Sequence, residues 1–116
     1  MTTLQLFQNS KDAVSYPAGT LIFDEGDQAE LMYAVIEGEV EILHRGKVID
    51  EAGPGALIGE MALIEASPRM ATARARTDCR VVPINEKRFL FLVQQTPFFA
   101  LQVMRILSER LRNKIK

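Results

Sequence analysis

The chain has one cysteine, one histidine and no tryptophan among its 116 residues. Cys79 alone excludes an internal disulfide framework and a metal site built on several thiolates; it reads as a small core residue at a strand start. His44 alone cannot supply the clustered ligands that a cupin-like metal centre needs; it reads as a surface residue at a strand end. No Ser/His/Asp or Cys/His set can be assembled, so no catalytic residues and no enzyme activity are expected. The apolar runs are short and broken by charges, so none is long enough for a bilayer, and no membrane partner is expected. Met1–Asn9 lacks a basic stretch followed by an apolar one, so no secretory leader is read there and the cytoplasm is expected. Internal repeats and low-complexity tracts are absent too.

What is present suits one ordinary domain. Hydrophobic residues make up 47% and charged residues 25%, enough apolar weight for a core. A single domain over 1–116 is expected, divided into a helical segment 1–13, a β region 14–84 and C-terminal helices 85–116. The net charge of −1 hides an asymmetry. Acidic residues dominate from Asp24 to Glu60, and basic residues dominate from Arg69 to Lys116. The basic half reads either as a face for an anionic partner or as the solvated helix end that the helix dipole favours.

Thr2–Gln8 reads as a short helix capped by Thr2 or Thr3. From Val14 to Ile84, Gly and Pro punctuate short apolar stretches, the pattern of an all-β sandwich or barrel. The expected strands are Thr20–Phe23, Leu31–Glu37, Glu39–Leu43, Lys47–Glu51, Ala71–Arg76 and Arg80–Ile84. The order EVEIL sends Val40 and Ile42 inward and both glutamates into water. Arg45-Gly46-Lys47 is then a hairpin tip. The order ATARAR gives one face of alanine alone and another of Thr72, Arg74 and Arg76. Asn85 is a good helix N-cap, and Pro97 suits the first turn of a second helix. In that last helix Ala100, Met104, Leu107, Leu111 and Ile115 form an apolar stripe, which wants a partner: the roll, a ligand or a second copy.

The stretch that carries chemistry is Gly59–Ala73. Gly59 permits a tight turn and close backbone approach. GEMALI reads as one or two helical turns beginning near Glu60, whose free N–H groups would make an anion site. Pro68 closes a loop, and Arg69 offers a planar cationic fork suited to phosphate oxygens. The alanine face follows. A carboxylate, an arginine and a small-residue strand so close together suit a ligand with both a sugar hydroxyl and a phosphate. The bland reading of Glu60 and Arg69 is a structural ion pair of little energetic value.

GEMALIEASPRMATARA resembles the phosphate-binding cassette of cyclic-nucleotide-binding domains, found in catabolite-activator-type regulators, protein kinase A regulatory subunits and cyclic-nucleotide-gated channels. The resemblance extends to Tyr16–Leu43, to GPGALIGE (Gly53–Glu60) and to the terminal helices. It implies a mainly β fold with flanking helices: an antiparallel β-roll of the jelly-roll or double-stranded β-helix type. It further implies a site of Ile58, Gly59, Glu60, Met61, Ala62, Arg69, Met70 and Ala71. There Glu60 accepts from the ribose 2′-hydroxyl, Arg69 pairs with the cyclic phosphate, and the amides of Ala62 and Ala71 donate to phosphate oxygens. Ile58 stands where many members have Phe.

In such domains a Thr or Ser after the arginine can bond guanine. Met70 has no hydrogen to give, so cAMP is expected in preference to cGMP, with no other cofactor. The chain shows no helix-turn-helix module, which argues against DNA as a partner. A homodimer through the last helix and an unidentified effector protein are the expected partners. The alternatives are a ligand-free scaffold that uses the roll for protein contacts, and a DNA-binding regulator acting through the basic tail.

Overall fold

The computed structural model describes residues 2–115, with the side chains of Lys114 and Ile115 outside that description. Helix α1 (Thr3–Phe7) is capped by Thr2. Eight strands follow among the described residues: β1 (Val14–Tyr16), β2 (Leu21–Phe23), β3 (Leu31–Glu37), β4 (Val40–His44), β5 (Lys47–Ala52), β6 (Leu57–Ile58), β7 (Thr72–Ala75) and β8 (Cys79–Asn85). A short helix, α2 (Met61–Glu65), interrupts them after β6. Helices α3 (Glu86–Gln95) and α4 (Phe98–Ile115) complete the fold.

The strands form two antiparallel four-stranded sheets, ordered β1-β8-β3-β6 and β2-β7-β4-β5. Together they make a β-roll of the jelly-roll type. One core lies between the sheets and contains Ile22, Val35, Val40, Ile58, Ala73, Ala75 and Val81. A second joins Met32, Ala34, Ile36, Val82 and Ile84 to Phe7, Phe99 and Val103 of the helices. Alternate residues of β3 therefore enter different cores. This is why its sequence, LMYAVI, is apolar throughout: both faces of that sheet are covered.

The β4–β5 hairpin turns on Arg45 and Gly46, both with positive φ (52° and 78°), as a two-residue connection matching strand twist requires. Gly38 is forced by packing. A Cβ there would lie 2.2 Å from the Asp78 carbonyl oxygen.

Two strands escaped the sequence reading, because β1 is three residues long and largely exposed and β6 has only two residues. Glu41 is also a correction. It was expected in water, but its carboxylate takes a bond from Arg74 at 2.6 Å and is 18% exposed. The charge asymmetry has a simple outcome in space. Arg74 pairs with Glu41, Arg76 with Glu51, Arg80 with Glu37 and Arg88 with Asp12. The basic half of the chain folds onto the acidic half.

The stripe on α4 is rotated by one residue from the expected one. The face against the roll is Phe99, Val103, Ile106 and Arg110, while Met104 and Leu111 are exposed and Leu107 lies at the border. Ile115, the last member of the expected stripe, and the basic Lys114 and Lys116 lie outside the described side chains. No single helix among the described residues is long and apolar enough to cross a membrane.

Candidate functional site

Three polar or charged residues are buried among the described ones: Thr3, Glu60 and Arg69. Thr3 is satisfied by Gln102 at 2.8 Å. The other two stand at either end of the cassette.

Arg69 is placed first by its backbone. Its N–H donates to the Asp27 carbonyl at 2.9 Å, and its own carbonyl accepts from Gly26 N–H at 2.8 Å. The side chain then turns into the roll, where only 8% of the residue stays exposed. Nη1 donates to the Gly59 carbonyl at 3.2 Å and Nη2 to the Leu31 carbonyl at 2.6 Å. The guanidinium carbon sits 4.0 Å from the centroid of the Phe23 ring. Gly59, at φ +74°, makes the space: a Cβ there would lie 2.6 Å from Arg69 Nη1 and 3.2 Å from the Phe23 ring.

Among the described residues no carboxylate is within ion-pairing distance of this guanidinium, and its Nε–H has no partner. Burial pulls the arginine below its ordinary pKa, opposed by Tyr33, Asp27 and Glu60 nearby. A desolvated cation without a counter-ion is costly, and an incoming anion would relieve that cost.

Glu60 opens α2 and is 3% exposed. Its Oε1 accepts from Arg110 of α4, whose Nη2 also donates to the Leu57 carbonyl at 3.0 Å. Oε2 has no partner. Nor has the hydroxyl of Ser67, on the loop between the two ions. All three orphaned buried side-chain atoms among the described residues thus fall within Glu60–Arg69. Unpaired buried groups are rare enough in folded proteins that each calls for an explanation. The three are an acceptor, a hydroxyl and a cationic donor within ten residues of sequence.

The remaining expected residues are distributed differently. Ile58 points into the inter-sheet core. Ala62 is buried, Met61 and Ala71 are half-buried, and Met70 is 63% exposed. The amide of Ala62 already donates to the Gly59 carbonyl at 3.2 Å and that of Leu63 to Glu60 at 3.1 Å. The expected row of free N–H groups at the start of α2 is therefore partly used up by a tight turn. Arg69 lines a cavity of about 580 Å³ with Phe23, Leu31, Tyr33 and Asn85 and with two carboxylates, Asp27 and Glu30, a volume in the range of small-molecule pockets. Glu60 is not among the residues that line it.

The cyclic nucleotide-binding domain family matches residues 13–96, most of the chain. The chain belongs to this family.

Several relatives place this cyclic-nucleotide-binding domain in context. It is 34% identical over 99 residues to the Pycsar effector protein XpPycTIR of Xanthomonas perforans, covering 84% of this chain and 33% of that protein. The catabolite activator protein of Thermus thermophilus superposes with a TM-score of 0.81 at 30% identity, covering 96% of this chain and 55% of that one. The cAMP-bound PfPKA-R structure gives a TM-score of 0.73 at 28% identity, covering 89% and 36% respectively. The domain thus spans about half, or less, of the length of these relatives.

Two residues of the site were missed in the sequence. Phe23 read only as a strand residue. Arg110 was hidden by the choice of helix stripe. Drawn through Phe99, Val103 and Ile106, the stripe ends on Arg110, and a cation closing an inward apolar face is a visible signal.

Proposed function

We propose that this domain is a sensor that binds a cyclic mononucleotide, cAMP in preference to cGMP, and performs no chemistry on it. One observation carries the reading: a buried arginine without a carboxylate partner lies one cassette loop away from a buried glutamate with a free oxygen. A cyclic nucleotide brings what both lack, an anionic phosphate for the Nε side of Arg69 and a ribose hydroxyl for Oε2 of Glu60. Charge-assisted bonds of this kind are the strong ones. Family membership supports the ligand class. Met70, with no hydroxyl to offer guanine, supports adenine over guanine.

Binding would be passed on through Arg110, which ties α4 to Glu60 of the cassette and to Leu57 of β6. A ligand hydroxyl on Glu60 competes for the same carboxylate and favours a new position of the helix. Only differential affinity for the two positions can drive that shift. The recipient is an effector protein or a second copy docked on the exposed Leu101, Met104 and Leu111 of α4. DNA is the poorer partner. Arg74, Arg76, Arg80, Arg88 and Arg110 already face carboxylates of the roll.

A thermal-shift and calorimetric titration against cAMP and cGMP tests the proposal. At one hundred times Kd, cAMP should add about 2.7 kcal/mol, a rise in Tm of roughly 10 °C for a domain of this size. No shift with either nucleotide would instead leave the roll as a scaffold for protein contacts.

A further inference from the structure

Arg69 is held by more than its two carbonyl acceptors. Its guanidinium lies between the backbone of Gly59 and the ring of Phe23, so close to both that a Cβ on Gly59 would meet Nη1 and the ring alike. Phe23 is itself flanked by Tyr33. The two rings stack with centroids 6.0 Å apart and planes 23° from parallel, and the Tyr33 centroid also lies 5.8 Å from the Arg69 guanidinium carbon. A ring centroid only 4.0 Å from the guanidinium carbon restricts rolling about the Cδ–Nε axis. The carbonyls of Gly59 and Leu31 then take one hydrogen from each Nη, and the Nε–H is left unpaired.

We propose that Phe23 is the positioning residue of the phosphate site: it sets the plane of the Arg69 guanidinium and so decides which phosphate oxygen the Nε edge meets. This rests on the cyclic-nucleotide reading above and adds to it a specificity element that lies outside the cassette. Phe23 works through Arg69. A ring that supports the cation from its π face offers no hydrogen bond to an anion. Its effect therefore falls on the geometry of the phosphate contact and leaves the sugar contact at Glu60 alone.

The two phosphorothioate diastereomers of cAMP test this directly, because each carries sulfur in place of one of the two exocyclic oxygens. A fork held in one plane distinguishes them; a fork free to roll does not. Wild type, Phe23→Leu, Phe23→Met and Phe23→Tyr are titrated calorimetrically with cAMP and with each diastereomer. In Phe23→Leu and Phe23→Met, cAMP should bind about tenfold more weakly, equivalent to ~1.4 kcal/mol, and the affinity ratio of the diastereomers should collapse toward one. Phe23→Tyr, which keeps the ring, should retain both affinity and ratio. Weaker binding with the ratio intact would make Phe23 a mere pocket wall and overturn the proposal, as would unchanged binding in Phe23→Leu. A wild type that binds no cyclic nucleotide overturns the functional reading along with it.

A measurement on the wild type removes dependence on how the variants fold. The Arg69 Hε resonance, assigned by its loss in Arg69→Lys, should lie upfield of the ordinary arginine range through the ring current of Phe23. An ordinary shift would overturn the stacking on which the proposal stands.

Discussion

Arg110 on the last helix donates to a carboxylate oxygen of Glu60, so the end of α4 is fastened to the residue that opens the cassette. The pair is asymmetric. The Glu60 side chain is 3% exposed and that of Arg110 is 34% exposed. Whatever alters the environment of Glu60 therefore alters the anchorage of the helix, and the solvent-facing arginine is the partner free to leave.

This asymmetry sets a first expectation. Arg110→Met leaves a buried carboxylate uncompensated and should cost about 1–3 kcal/mol, below the ~3–5 kcal/mol of a fully buried pair because water reaches the arginine. Glu60→Gln combined with Arg110→Met should cost less than the sum of the two single changes. Urea denaturation of all four proteins measures this coupling, and additive losses would show that the contact contributes no interaction energy.

Arg69→Ala should raise the Kd for cAMP by two orders of magnitude or more, about 3 kcal/mol, since the phosphate is left in a desolvated site without its cation. Arg69→Lys should recover only part, because an ammonium keeps the charge and loses the fork. Calorimetric titration reads both, and wild-type affinity in Arg69→Ala would refute the role.

Gly59→Ala places a methyl 2.6 Å from Arg69 Nη1 at a φ of +74°. Backbone strain alone should destabilise the protein by about 1–2 kcal/mol. The displaced guanidinium should weaken cAMP binding as well. Thermal unfolding together with titration separates the two effects. A variant with unaltered binding would mean that the slot at Gly59 is not required.

Wild type should be dimeric at micromolar concentration, and Leu111→Glu or Met104→Glu should be monomeric, if the exposed face of α4 is where two copies meet. Light scattering coupled to size exclusion decides the point. A monomeric wild type would leave that face to another protein.

Asp12 provides a pH dependence. A hydrogen bond from the Ser10 hydroxyl, helped by the Arg88 guanidinium, holds its carboxyl below the ordinary value of 3.8. A depressed carboxylate stabilises the fold above its unfolded pKa, and that contribution disappears as pH falls through the folded one. Asp12→Asn should therefore lower Tm slightly at pH 7, with the gap to wild type closing as pH falls below the ordinary carboxylate value and through the depressed folded one. Melting curves across that range test it, and a gap persisting in acid would exclude the ionic origin.

Local pattern was enough for much of the roll. β3 was read with its observed ends because its apolar run is bounded by turn residues, and the hairpin tip expected at Arg45-Gly46-Lys47 followed from the strands on either side, with Lys47 already in β5 and paired to His44. β6 was not visible, since two apolar residues between glycines have no period to detect. The ions of the cassette could be named by residue type and spacing. Their actual partners could not, because the direction of a buried side chain is decided by distant neighbours. Arg69 rests on Phe23 and Leu31, and Glu60 on Arg110. The helical stripe failed for a related reason: α4 is apolar on two adjoining faces, and only packing against Phe7 and Ile84 selects the one through Phe99.

The pairing of the earliest strands with the latest ones also bears on how the molecule is made. Val14 sits opposite Val81, and Leu21 opposite Arg74. Phe23, Leu31 and Gly59 thus leave the ribosome before the strands that hold them in place have been synthesised. Such long loop closures put folding in the slow, millisecond-to-second regime. The arginine slot is assembled only after β8 has emerged, so a nascent chain acquires its binding competence in one late step.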